Sequence, residues 1–251
     1  MIQPLILHRF VEDIMFKEYQ KLTKQKLRLE TIVRNLFKES DSLEGFKLVG
    51  SASTGTMRKD TPDLDYVVLF KHKLFYKDFA TKLVNSILSP NKINYEDKYD
   101  YVKVSGHFEG FKYVFVPSTN PNGIIKDYVD DAFYHPDFIN KHKNKDHIAN
   151  VLLAKEFFKK ASSEKLVNGI SCELMILKFK SFDNLLKNIV SNNSLRINFS
   201  DHLDNYSDSA IIVDYPFLGK RSLTKYILPT EYTLFQEYAL KVLKNPENLI
   251  T

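Results

Sequence analysis

The chain has no tryptophan, a single cysteine and no long apolar run. One cysteine, Cys172, cannot close an internal disulfide, which excludes a disulfide-stapled fold; its place in an apolar helical pattern reads as a small buried hydrophobe. The longest apolar runs, such as Tyr66–Phe70 and Ala210–Val213, fall far short of the roughly 20 residues that span a bilayer. The first residues, M-I-Q-P-L-I-L-H-R-F-V-E-D, have no basic stretch ahead of the apolar one and no small-residue cleavage site, so they do not read as a signal peptide. These absences point to an intracellular, cytoplasmic protein with no membrane partner. The lack of Trp, set beside abundant Lys and Asn, speaks of a biased genome rather than of a function.

What is present is enough for a sizeable core. The chain has 251 residues, 43% of them apolar, with 14 Tyr and 19 Phe, and can bury one or two domains. The net charge is +5, a mild bias toward polyanionic partners. Residues 8–40 repeat apolar positions at three- and four-residue steps and read as helix. Phe46–Val49 and Leu64–Phe70 read as strands, and Phe75–Leu88 as an amphipathic helix. Tyr99–Val104 and Phe111–Val116 read as a hairpin joined by Gly106–Gly110. P-S-T-N-P-N-G at 117–123 reads as loop and divides an α/β unit, 1–120, from a mainly helical one, 121–251. In the second part, helices are expected over 146–161, 170–179, 182–191 and Thr230–Leu243, with a short strand at Ala210–Val213. The segment from Ser191 to Asp201 reads as irregular, and K-H-K-N-K at 141–145 as a solvated loop.

The chemistry concentrates in V-G-S-A-S-T-G-T-M-R-K-D-T-P-D-L-D-Y-V-V-L-F, residues 49–70. On a strand, Asp63 and Asp65 point to one face and Leu64 to the other. Two carboxylates so close repel unless a cation joins them, and Mg²⁺ suits hard oxygen donors while leaving positions for phosphate oxygens. Gly50 and Ser51 can bring backbone N–H groups and a hydroxyl to phosphate, and Gly55-Thr56 adds a second small turn. An acidic turn before a strand is the plain alternative for D-x-D alone. The cation reading requires that both acids share a face and that no basic side chain of the chain itself plugs them.

These segments resemble the DNA polymerase β-like nucleotidyltransferase superfamily, whose signature is G-[GS], a spacer and [DE]-h-[DE]. The resemblance narrows to the archaeal-type (class I) CCA-adding tRNA nucleotidyltransferases through Y-H-P-D-F at 134–138, L-L-A-K-E-F-F-K at 152–159, G-I-S-C-E-L-M-I-L-K-F-K-S-F-D-N-L-L at 169–186 and V-D-Y-P-F-L-G-K-R-S-L at 213–223. It implies an α+β fold, a palm with a small mixed sheet followed by a mainly helical domain. It also implies transfer of NMP from ATP or CTP to an RNA 3′ end, tRNA above all, with Mg²⁺ or Mn²⁺. By the same resemblance Asp63 and Asp65 are the catalytic metal ligands. Gly50, Ser51 and Thr56 are the phosphate turns, His135 and Lys155 approach the triphosphate, and Arg221 meets the base, oriented by Asp214.

The resemblance has gaps. The third carboxylate of the two-metal route, expected on the strand beside D-x-D, is replaced by Val114 in Tyr113-Val114-Phe115-Val116-Pro117. Lys112 shares its face, and Asp130 and Asp131 are the acids that follow. Thr54 stands where the family has Arg, Ser222 replaces an Asn, and Ala161–Lys165 lacks an expected Tyr. The chain is also expected to lack the C-terminal domains that grip tRNA, so that a second copy or a partner subunit would supply that grip, with Lys141–Lys145 a candidate for phosphate contact. A degenerate nucleotidyltransferase fold serving as an RNA- or protein-binding scaffold is the alternative expectation. A small-molecule transferase or cyclic-nucleotide synthase is the third.

Overall fold

The structure is a computed structural model that describes residues 4–38, 43–71, 81–82, 103–119, 128–199, 209–214 and 223–250. It forms two compact units. A sheet unit comprises Phe16–Ser53 and Met57–Pro136, and a helical unit comprises Met1–Met15, Thr54–Thr56 and Asp137–Thr251. Where a boundary after residue 120 was expected, the change of unit falls at Pro136, inside a helix.

In the sheet unit, helix α2 (Tyr19–Leu36) precedes strand β1 (Leu43–Val49), a one-turn helix α3 (Gly50–Thr54) and β2 (Asp63–Phe70). Strands β3 (Val104–Phe108) and β4 (Phe111–Ser118) complete a four-stranded sheet of order β1-β2-β4-β3. β2 is antiparallel to β1 and parallel to β4, so the sheet is mixed, as expected. Alternation along β2 fixes its two faces. Leu64, Tyr66, Val68 and Phe70 join Tyr113, Phe115 and Val104 in a core that also takes Leu22, Leu29 and Val33 of α2. At about 1.5–3 kcal/mol for each fully buried large side chain, this face is the main source of the sheet unit's stability. The other face carries Asp63, Asp65 and Val67, and Val67 packs with Val49 and Val129. Val129 lies on α4 (Tyr128–His142), as does Phe133 one turn later, so that helix covers this face next to the acids.

Three expectations here are corrected. Residues 8–40 do not form one helix: α1 (Pro4–Ile14) and α2 are separate. The break occurs where the Phe16 N–H donates to the Met57 carbonyl at 3.2 Å and the Phe16 ring meets Phe111 edge-on. A tertiary bond and a buried ring outweigh helical continuity at that point. The hairpin turn is Glu109-Gly110, both at positive φ (47° and 88°), and Gly106 lies within β3 opposite Tyr113. β4 runs on through Pro117 and Ser118 beside β2. Proline is tolerated there because β3 pairing ends at Val104–Phe115. The predicted strand residues 99–102 and, apart from residues 81–82, the predicted helix Phe75–Leu88 lie outside the described residues.

The helical unit is built on α5 (His147–Ala161), α6 (Gly169–Phe179), α7 (Phe182–Ser191) and α8 (Pro229–Lys244), close to the expected spans. α6 is buried from Ser171 to Leu177, as befits a central helix. Asn168 caps it by accepting from the Ser171 N–H, and it ends at Lys180 with φ 71°. Phe157 stacks on Tyr238, and Phe158 meets Phe235 edge-on. Contrary to the irregular reading, Leu195–Ile197 is a strand, β5, parallel to β6 (Ile211–Val213). Its signal is three residues long and its partner is non-local, which periodicity cannot reveal. Among the described residues no helix is long and apolar enough to cross a membrane.

Candidate nucleotide and metal site

Asp63 and Asp65 occupy the first and third positions of β2, half-buried on one face, with Leu64 in the core behind them. The strand alternation that sequence predicts is therefore in place. Val49, the last residue of β1, pairs with Asp65, and Gly50 follows at φ 65°. A Cβ on Gly50 would lie 2.6 Å from Asp65 Oδ2. Only glycine allows the turn to approach this carboxylate, by conformation and by space alike. The Gly-Ser turn and the acid are thus immediate neighbours. Ser53 Oγ donates to the Gly50 carbonyl at 2.7 Å and closes the short α3 turn.

The positions across from the acids decide what the pair can hold. Along β4, Lys112 is the partner of Asp63 and Val114 the partner of Asp65. Val114 is only 6% exposed and has no atom that can ligate. Lys112 Nζ lies 3.5 Å from Asp63 Oδ2. A half-exposed basic side chain therefore touches the pair on the Asp63 side without plugging both acids. The Lys47 ammonium lies 4.5 Å from the centre of the Phe133 ring. Asp131, on α4, is buried, yet among the described residues no group of three or more His, Cys, Asp or Glu is placed to hold a metal ion. Two hard carboxylates on one face fit one hard divalent cation. The donor set for a second is absent among the described residues.

A second constellation lies in the helical unit, which includes Thr54–Thr56. Glu173 on α6 has a side chain 2% exposed, and Lys155 on α5 one 12% exposed. Thr54 Oγ1 donates to Glu173 Oε1 at 2.8 Å, and Thr56 Oγ1 donates to the same oxygen. Lys155 Nζ donates to the Thr56 carbonyl at 3.0 Å and to Thr56 Oγ1 at 2.9 Å, and it stands 3.9 Å from Glu173 Oε1. The threonine hydroxyl thus bridges a buried ion pair. Small residues make room: a Cβ on Gly169 would meet Lys155 Cε at 3.1 Å, and one on Gly55, at φ 84°, would meet Ile148 Cδ1 at 3.1 Å. Burial is the largest cause that pushes the neighbouring Cys172 thiol up to about 12, so Cys172 is the inert hydrophobe expected.

Of the residues singled out by sequence, Gly50 and Asp65 are in contact distance, with Asp63 two residues along the same strand face. Thr56 and Lys155 meet in the helical unit. His135 is buried on α4, Ser51 is half-buried in α3, and Arg221 lies outside the described residues, so its pairing with Asp214 does too. Sequence reasoning missed Glu173 and the closeness of Lys112 to Asp63. The signal for Glu173 was available: a lone carboxylate inside C-E-L-M-I-L, where every neighbour is apolar.

No family model matches the chain. The fold is that of the polymerase β-like nucleotidyltransferases. E. coli MS115-1 CdnC, in a complex with HORMA-deltaN, superposes with a TM-score of 0.71 at 17% identity over 95% of this chain and 88% of that one. The Cid1 poly(U) polymerase with Mg 3′-dATP bound gives 0.72 at 11% identity over 95% and 92%.

In sequence the chain is related to archaeal CCA-adding enzymes. It is 27% identical to that of Methanosarcina barkeri over an alignment of 217 positions that covers 80% of this chain and 47% of the relative. It is 28% identical to that of Thermoplasma volcanium over an alignment of 218 positions that covers 83% of this chain and 48% of the relative. The chain spans about half the length of these relatives.

Proposed function

We propose that the chain binds a nucleoside triphosphate with a divalent cation and transfers the nucleoside monophosphate to an RNA 3′ end, a tRNA-like one by its relatives. The observation that carries this reading is the contact between Gly50 and Asp65, with Asp63 on the same face. That contact sets the Gly-Ser turn against an acid that can ligate a cation. Asp63 and Asp65 hold Mg²⁺ or Mn²⁺, and the cation, when bound, neutralises phosphate oxygens and lowers the pKa of an attacking hydroxyl. Gly50 and Ser51 present the turn to the triphosphate of ATP or CTP. His135, Lys155 and Arg221 are assigned to the nucleotide by resemblance alone, and Thr56 to the support of Lys155. In the transfer, the RNA hydroxyl oxygen bonds to the α-phosphorus, the bond to pyrophosphate breaks and the hydroxyl proton leaves to solvent.

The test is incubation with α-labelled ATP or CTP, Mg²⁺ or Mn²⁺ and mixed RNA, read as label on RNA. Transfer lost in Asp63→Ala and Asp65→Ala supports the reading; no transfer by the unaltered chain, or equal transfer by the variants, removes it. One observation favours a second reading, a catalytically silent scaffold for RNA or protein: Val114 beside Asp65, where a third carboxylate is needed. That reading expects RNA or partner binding that survives loss of both aspartates. A second copy or a partner subunit would supply further grip on RNA in either case.

A further inference from the structure

The rows of the sheet that cross the two acids differ in kind. One runs from Asp63 to Lys112 and on to His107, the other from Val49 through Asp65 and Val114 to Ser105. Residues paired across a sheet share a face. Each acid therefore faces, on β4, a side chain that cannot ligate a cation. Lys112 is 45% exposed and Asp63 32% exposed, so their ion pair adds little to folding stability. Its effect is on the local field: it sets a positive charge 3.5 Å from an oxygen of Asp63, a carboxylate that a second cation would have to share. Like charges at such distances repel appreciably even at the effective dielectric of a protein surface.

We infer that this site takes one divalent cation where the two-metal route needs two, and that Lys112 is the chain's own cation on the Asp63 side. The single divalent ion then lies between the two acids, with the triphosphate on the Gly50 side. This inference rests on the nucleotide-binding reading above. It makes Lys112 a determinant of how many metal ions the site holds, and Val114 the reason that no donor compensates. It also gives the site a charge logic. With Val114 where the two-metal route has a carboxylate, and an ammonium at Lys112, the acids keep the balance that one divalent ion, not two, can neutralise.

The experiment counts cations without relying on turnover. Mn²⁺ is titrated into the full chain with a non-hydrolysable ATP analogue, and the loss of the free-ion electron paramagnetic resonance signal gives bound Mn²⁺ per chain. The expected result is one. Lys112→Gln, a change at an exposed position, is expected to tighten Mn²⁺ about tenfold by removing the opposing charge. Lys112→Gln with Val114→Asp is expected to bind a second Mn²⁺. Two Mn²⁺ in the unaltered chain, or unchanged affinity in Lys112→Gln, overturns this inference and leaves the nucleotide reading standing. No bound Mn²⁺ with the nucleotide overturns both. Because Val114 is buried, its aspartate variant can fail to fold; the count in the unaltered chain and the Lys112→Gln affinity decide the matter without it.

Discussion

Gly50 and Gly110 both have positive φ, yet substitution at each meets a different obstacle. At Gly110 nothing lies within 4 Å of an added Cβ, so Gly110→Ala is expected to cost only the backbone preference, about 1–2 kcal/mol in urea unfolding. At Gly50 the added carbon runs into the Asp65 carboxylate. Gly50→Ala is therefore expected to cost more than Gly110→Ala in the same assay, and to weaken Mn²⁺ binding as Gly110→Ala does not. Glu173 offers a second contrast. Glu173→Ala leaves two threonine hydroxyls without their buried acceptor and the Lys155 ammonium without its counter-charge, a loss of about 3–5 kcal/mol by urea unfolding. Glu173→Gln keeps one acceptor oxygen and is expected to lose less. At this scale the sequence told half. Asp63 and Asp65 were legible because strand alternation alone fixes their common face. The neighbours of the acids were not, because Lys112 faces Asp63 only through the register of β2 with β4, residues 49 positions apart (112 − 63).

The helices of the second unit were readable nearly to the residue, since their apolar spacing is a local signal; in the structure Asn168 and Ser181 cap α6 and α7. Elements decided by distant partners were not. β5 exists because Leu195–Ile197 pairs with Ile211–Val213, and the gap between α1 and α2 because Phe16 reaches Met57 and Phe111. Phe16 is 5% exposed and belongs to the sheet-unit core. Phe16→Ala is expected to destabilise the sheet unit by about 3–5 kcal/mol, seen as earlier loss of amide-exchange protection in β4 and α2 than in α6. Equal loss in α6 would show that the ring is not the anchor of that break.

For the whole molecule, the net charge of +5 is a mild bias toward polyanionic partners, and the proposed RNA binding should weaken with salt. If RNA is held through about three phosphate contacts, its affinity is expected to fall about tenfold or more between 50 and 200 mM salt, measured by fluorescence anisotropy of a labelled tRNA acceptor stem. A salt-insensitive affinity would count against phosphate contacts. The way the backbone is shared between the units has a consequence of its own. It changes allegiance after Met15, after Ser53, after Thr56 and after Pro136, so neither unit is a continuous stretch of chain. Three residues, Thr54–Thr56, are on loan to the helical side in the middle of the other side's sequence. A single cut in the backbone therefore leaves residues of both units on at least one fragment, and releases neither half intact.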